Sequence, residues 1–139
     1  MVAMSAEDVG VVAGVDLGGT NLRVAVADRS GSTAGFVTSP TEAASGPEAV
    51  IDRIVSMVRR SLAQANIDKT SLVAVGVGAP GPLDSIAGVI HEAPTNLPGW
   101  TNVRLADRIS AALGVPVFLE KDANAAALAE YRYGKNCGV

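Results

Sequence analysis

Three short segments carry residues whose types and spacing suit chemistry on phosphate and hydroxyl groups. The first is Asp16-Leu-Gly-Gly-Thr-Asn-Leu-Arg23. Gly18 and Gly19 remove side chains where the backbone must bend tightly, so that amide groups can face phosphate oxygens. Thr20 adds a hydroxyl donor. Asp16 is placed to hold Mg²⁺ through its water shell, the usual way that ion is retained. A plain hairpin turn would also use Gly-Gly, but a flanking Asp, a Thr and a strand on either side favour the phosphate reading.

The second segment, Gly76-Val-Gly-Ala-Pro-Gly81, matches the dinucleotide pattern G-x-G-x-x-G letter for letter. That fingerprint needs a helix to open at once, with its N-terminus on the pyrophosphate. Pro80 and Pro82 intervene and a Pro- and Gly-rich loop follows, so a nicotinamide site is rejected. The third segment, Glu120-Lys-Asp-Ala-Asn-Ala-Ala-Ala, joins a strand to a helix. Asp122 suits an N-cap, a role worth about 1 kcal/mol by itself. It equally suits a carboxylate at a strand's carboxyl end, where α/β sheets bind ligands, taking a proton from a hydroxyl that attacks a γ-phosphoryl group. Both readings stand on the residues alone.

The elements that must position these segments follow from periodicity. Residues 9–16 form a β-branched run ended by Gly-Gly, and residues 22–28 and 33–38 add two turn-linked strands. Pro47 suits the first position of a helix that should end near Asn66, with Val50, Ile54, Val58 and Leu62 on its apolar stripe. Residues 72–78 read as a buried strand whose apolar continuity implies helices on both sheet faces. Residues 79–102 read as one long loop. A helix over 105–113, a strand over 116–120 and an Ala-rich helix over 123–133 complete the order β-β-β-α-β-α-β-α, an α/β fold with an antiparallel start.

The totals narrow the function class. Apolar residues make up 48% of the 139 and charged ones 18%, with aromatics at 4%, a profile of small-residue packing in one compact domain. A net charge of −3, with no basic cluster beyond Arg59-Arg60, disfavours nucleic acid and anionic membrane as partners. No apolar run approaches the roughly 18 residues of a membrane span, and the acidic start lacks the order of a secretory signal. The lone Cys137 allows neither an internal disulfide nor a four-ligand zinc cluster, so a cytoplasmic location is expected. Residues 1–8 are expected to be disordered.

Four blocks together are more specific than any one: Asp-Leu-Gly-Gly-Thr-Asn, Gly-Val-Gly-Ala-Pro-Gly-Pro-Leu-Asp, Asn96-Leu-Pro-Gly-Trp100 and Asp-Ala-Asn-Ala-Ala-Ala-Leu-Ala-Glu130. In order and spacing they resemble the ROK sugar kinases, glucokinases among them, over residues 9–139. The resemblance implies an actin-like ATPase (ribonuclease H-like) domain with a mixed central sheet, one of two lobes around a cleft. It implies that Asp16, Gly18, Gly19, Thr20 and Asn21 form the first phosphate motif for ATP and Mg²⁺. Gly81, Pro82 and Asn96 would then face the sugar, and Asp122 would be the catalytic base. The family usually has a sugar-binding Asn before that Asp; here the residue is Lys121, which offers donors but no acceptor.

The same resemblance implies ATP-dependent phosphorylation of a hexose, glucose to glucose 6-phosphate, by a homo-oligomeric protein. The alternatives it leaves are a sugar-responsive transcriptional regulator and a non-catalytic sugar-binding protein. The sequence ends where the family crosses into its second lobe, which holds the adenosine site and a structural zinc segment. The 139 residues are therefore expected to be a half-site, inactive in isolation. His91, the only histidine, reads as a hydrogen-bonded loop residue. Trp100, the only tryptophan, reads as the anchor of the long loop.

Overall fold

The computed structural model describes residues 10–28, 30–91, 97 and 99–121. Three strands open the chain: β1 (Val11–Leu17), β2 (Asn21–Ala27) and β3 (Thr33–Pro40). They pair antiparallel in sequence order, because each connection is too short for a crossover. Asp28 shapes the second turn by accepting from the Ser30 and Ser32 amides and the Ser30 hydroxyl. Burial pushes the Asp28 carboxyl up, and those hydrogen bonds, Ser30's hydroxyl foremost, outweigh it and hold the group below its usual value.

Helix α1 (Pro47–Gln64) starts with Pro47 in its first turn, as its composition requires. After it come β4 (Leu72–Gly78), α2 (Leu105–Leu113) and β7 (Val117–Glu120), with α2 stopped by Gly114 at φ 73°. The crossovers place β4 parallel to β1 and β7 parallel to β4, giving a mixed sheet of order β3-β2-β1-β4-β7.

Residues 79–102 are not the single loop that composition suggests. They carry a hairpin, β5 (Leu83–Asp84) and β6 (Val89–Ile90), and Ile90 also bridges to Val103. Asp84 builds the turn by accepting from the Ile86 and Ala87 amides. Gly88 closes it at φ 71°, where a Cβ would meet the Ala106 Cβ at 2.4 Å. Two-residue strands are too short to leave a period in the sequence.

One face of the sheet holds the main core. Alternate residues of β1 and β2 (Val11, Ala13, Val15, Leu17, Leu22, Val24, Val26) pack with Ile54, Met57 and Val58 of α1 and Leu105 and Ile109 of α2. Glu48 and Arg108 join the two helices by an ion pair, and the hydrogen bond from Arg108 holds the Glu48 carboxyl below its usual value. The opposite face has a small second cluster of Val12, Ala27 and Ala74 flanked by Val73 and Phe118. Both described helices lie on the first face. The helix expected over 123–133 lies outside the described residues. Among the described residues no helix is long and apolar enough to cross a membrane.

Candidate functional site

Because β1, β4 and β7 run parallel, their carboxyl ends share one edge of the sheet. Asp16 pairs with Gly78, and Gly78 with Glu120, so the residues that follow each strand start level with one another. The diglycine turn, the 79–82 loop and Lys121 therefore leave from the same edge, and the Ala79 amide ties the last two together by donating to the Glu120 carbonyl at 2.9 Å. Ligands of open α/β sheets bind at such an edge.

The diglycine turn is tight for a definable reason. The Gly18 amide donates to the Asn21 carbonyl at 3.0 Å, and a Cβ on Gly18 would lie 2.9 Å from that oxygen. Any larger residue must open the turn. The Gly18 N–H is thus used within the turn. The Gly19 and Thr20 amides have no hydrogen-bond partner among the described residues and remain as donors. Thr20 and Asn21 are exposed, and Asp16 is partly exposed at the strand end.

Two residues of this site were not singled out by the sequence reading. Thr41, fully buried, donates its hydroxyl to the Gly18 carbonyl at 2.6 Å and its amide to the Thr20 carbonyl at 2.8 Å. Arg53 of α1 in turn donates to the Thr41 carbonyl at 2.5 Å and pairs with Glu42. The turn is therefore braced from behind by a residue 23 positions away, which no local pattern signals. Thr41→Val keeps the shape and removes the hydroxyl. It should cost about 1–3 kcal/mol of stability, as expected when a buried acceptor loses its donor. The urea unfolding midpoint is the measurement.

Arg23 sits beside Asp16 across the β1–β2 ladder, 3.7 Å from its carboxylate. Side-chain alternation puts Arg23, Asp16 and Glu120 on the second face of the sheet, with Gly78 between the two carboxylates. Behind this polar row lies one of small residues, Ala25, Gly14 and Gly76, closed by Phe118. A cavity of about 240 Å³ opens over Gly14, Asp16, Arg23, Ala25, Phe36 and Thr38.

On the 79–82 loop, Gly81 and the cis-linked Pro82 lie near the end of β7, and a Cβ on Gly81 would sit 3.2 Å from the Lys121 Cε. No helix opens at this loop, consistent with the rejection of a dinucleotide fingerprint. His91 donates its amide to the Pro82 carbonyl, accepts from the Asn102 amide, and brings its ring within 4.0 Å of Asp84. It is a hydrogen-bonded loop residue. Trp100 and Leu97 are fully buried in the main core and pin the return leg of the same segment. Asn96 and Asp122 lie outside the described residues.

Among the described residues there is no group of three His, Cys, Asp or Glu side chains able to hold a metal ion. The single Asp16 carboxylate suits Mg²⁺, which takes one or two carboxylates and fills its shell with water and substrate phosphate. A larger cavity, about 800 Å³, lies at the opposite edge beside Leu72, between the ends of α1 and α2, and touches none of the motif segments.

Comparison with known proteins agrees with this arrangement. A glucokinase of Streptomyces coelicolor is 36% identical over 129 residues, covering 93% of this chain and 38% of that protein. A glucokinase of Thermotoga maritima is 38% identical over 125 residues, 90% of this chain and 38% of its own length. The chain thus spans under two-fifths of the length of these two relatives. Among solved structures, a ROK hexokinase from Thermus thermophilus superposes with a TM-score of 0.73 at 38% identity, over 92% of this chain and 40% of that one. A ROK glucokinase from Streptomyces griseus, in complex with glucose and AMPPNP, gives 0.72 at 34%, over 90% and 37%. A xylose repressor of Caldicellulosiruptor bescii is 26% identical over 93% of this chain and 32% of its own. The mixed sheet is that of an actin-like ATPase domain, and with the ROK family matching from residue 12 to residue 139, this chain is a member of the ROK family.

Proposed function

We propose that residues 9–139 form the amino-terminal lobe of an ATP-dependent hexose kinase, acting on glucose to give glucose 6-phosphate once a second lobe completes the cleft. The reading is carried by the shared edge of β1, β4 and β7, from which the diglycine turn, the Gly81 loop and the segment leading to Asp122 all depart. The free Gly19 and Thr20 amides and the Thr20 hydroxyl bind phosphate oxygens of ATP. Asp16 would hold Mg²⁺, with Asn21 following in the same turn, and the ion would neutralise charge on the phosphates. Gly81, Pro82 and Asn96 face the sugar.

Asp122 takes the proton of the sugar hydroxyl as its oxygen bonds to the γ-phosphorus. The bond from that phosphorus to the bridging oxygen breaks, and ADP departs with the electron pair. Closure of the two lobes excludes water, which would otherwise compete as the acceptor. Zinc, if bound, belongs to the second lobe. The intact protein works as a homo-oligomer in the cytoplasm, with no nucleic acid or membrane partner.

The xylose repressor likeness supports a second reading, a sugar-responsive regulator that binds the sugar without transferring phosphate. Sugar-dependent ADP release by the intact protein, assayed over a panel of hexoses and pentoses, separates the two. Release that depends on a hexose supports the kinase. Tight sugar binding with no ADP formed, together with retention of a DNA fragment, overturns it.

A further inference from the structure

Lys121 is the first residue beyond β7, and its aliphatic stem lies along Gly81. A Cβ built on Gly81 would meet the Lys121 Cε at 3.2 Å and its Cδ at 3.5 Å, so the glycine makes room for the stem. The loop and the strand end are held in this relation by the Ala79 amide on the Glu120 carbonyl. Yet the Lys121 ammonium makes no hydrogen bond or ion pair among the described residues, and the side chain is exposed. Ordering a long side chain costs rotamer entropy, and here no internal contact to its charged end offsets that cost.

Of the other charges at this edge, Arg23 faces Asp16, and Asp84 accepts from two turn amides and faces His91. Lys121 is a cation without a partner among the described residues, next in sequence to the proposed base. An ammonium has three donors and no acceptor, which matches an oxyanion better than a sugar hydroxyl that must both give and accept. In phosphoryl transfer the charge is spread over the three equatorial oxygens of the moving group. On the kinase reading, a hydroxyl that delivers its proton to Asp122 has that group on its own oxygen, and Lys121 is the residue next to Asp122 in sequence.

We propose that Lys121 is a phosphoryl-binding residue, donating to an oxygen of the γ-phosphoryl group in transfer and of the phosphate in the hexose phosphate product. The inference rests on the kinase reading and deepens it. In place of a neutral contact to the sugar, the position supplies charge to the reacting phosphate, and Gly81 is the platform that orients it.

The test compares Lys121→Met and Lys121→Arg with the unaltered intact protein in two arms. In the kinetic arm, Lys121→Met is expected to lower kcat roughly 10²-fold, the scale of losing one donor to transition-state charge. The sugar KM should stay within about twofold while Lys121→Arg keeps most of the rate. A raised sugar KM with unchanged kcat would make Lys121 a sugar ligand and overturn the proposal, as would a Lys121→Met protein with unaltered kinetics. In the binding arm, calorimetry measures glucose and glucose 6-phosphate separately. Lys121→Met should weaken only the phosphate ester, and equal weakening of both overturns the proposal. If the unaltered protein releases no ADP with any sugar, the kinase reading fails, and the binding arm still decides whether Lys121 receives a phosphate.

Discussion

Asp122→Asn in the intact protein is expected to lower kcat for sugar-dependent ADP release by roughly 10²–10⁴-fold, the range associated with a positioned general base. The amide matches the carboxylate in shape and still hydrogen-bonds a hydroxyl, so the sugar KM should change by only a few-fold. What it cannot do is accept the proton that must leave the hydroxyl as the new bond to phosphorus forms. The contrast between a large kcat effect and a small KM effect separates a base from a residue that merely caps a helix. As a cap, Asn is about as good as Asp, and Asp122→Asn would leave both parameters and the stability unchanged. Equal turnover by the two proteins would remove Asp122 from the chemistry.

Trp100 carries the largest expected effect on stability. Its side chain is fully buried, in the same core as Leu97, Leu105 and Ile109. Trp100→Ala should cost about 3–5 kcal/mol, the usual price of deleting a buried aromatic side chain. Set against a typical total of about 5–15 kcal/mol, that loss would bring a large share of the stability down with it. The Trp100 Nε1 is buried without a hydrogen-bond partner among the described residues, so the ring's benefit is offset in part by an N–H they leave unpaired. Trp100→Phe keeps most of the apolar ring and removes that N–H, and it should cost distinctly less than Trp100→Ala. Urea midpoints of the two variants give the comparison. Equal losses would mean that the phenyl ring recovers none of the packing, and that the fit of the indole itself rather than buried apolar volume decides this position. Because Trp100 pins the return leg of residues 79–102, activity in Trp100→Ala should fall at denaturant concentrations below the unfolding midpoint.

The elements legible in the sequence were those with a long period or a hard stop. The stripe of Val50, Ile54, Val58 and Leu62 marked α1, and Pro47 marked its first residue. The strand at 72–78 and the helix at 105–113 were bounded by residues with a clear local effect, Gly114 above all. The β5–β6 hairpin was missed because four paired residues carry no period, and its turn depends on an Asp84 side chain accepting from its own backbone. Thr41 and Arg53 were missed for a different reason. Nothing about a threonine before a helix says that its hydroxyl will meet a carbonyl 23 residues earlier.

By itself the chain of residue types determined the order of the five main strands and of α1 and α2, the three motif segments and the family they resemble, because each rests on neighbours within a few positions. Only the tertiary structure decided that Thr41 locks the diglycine turn, that Arg23 faces Asp16, and that Lys121 lies along Gly81. Those relations arise where parallel crossovers bring distant strand ends to one edge. The spacing of residues along a chain does not encode the register in which two remote strands meet.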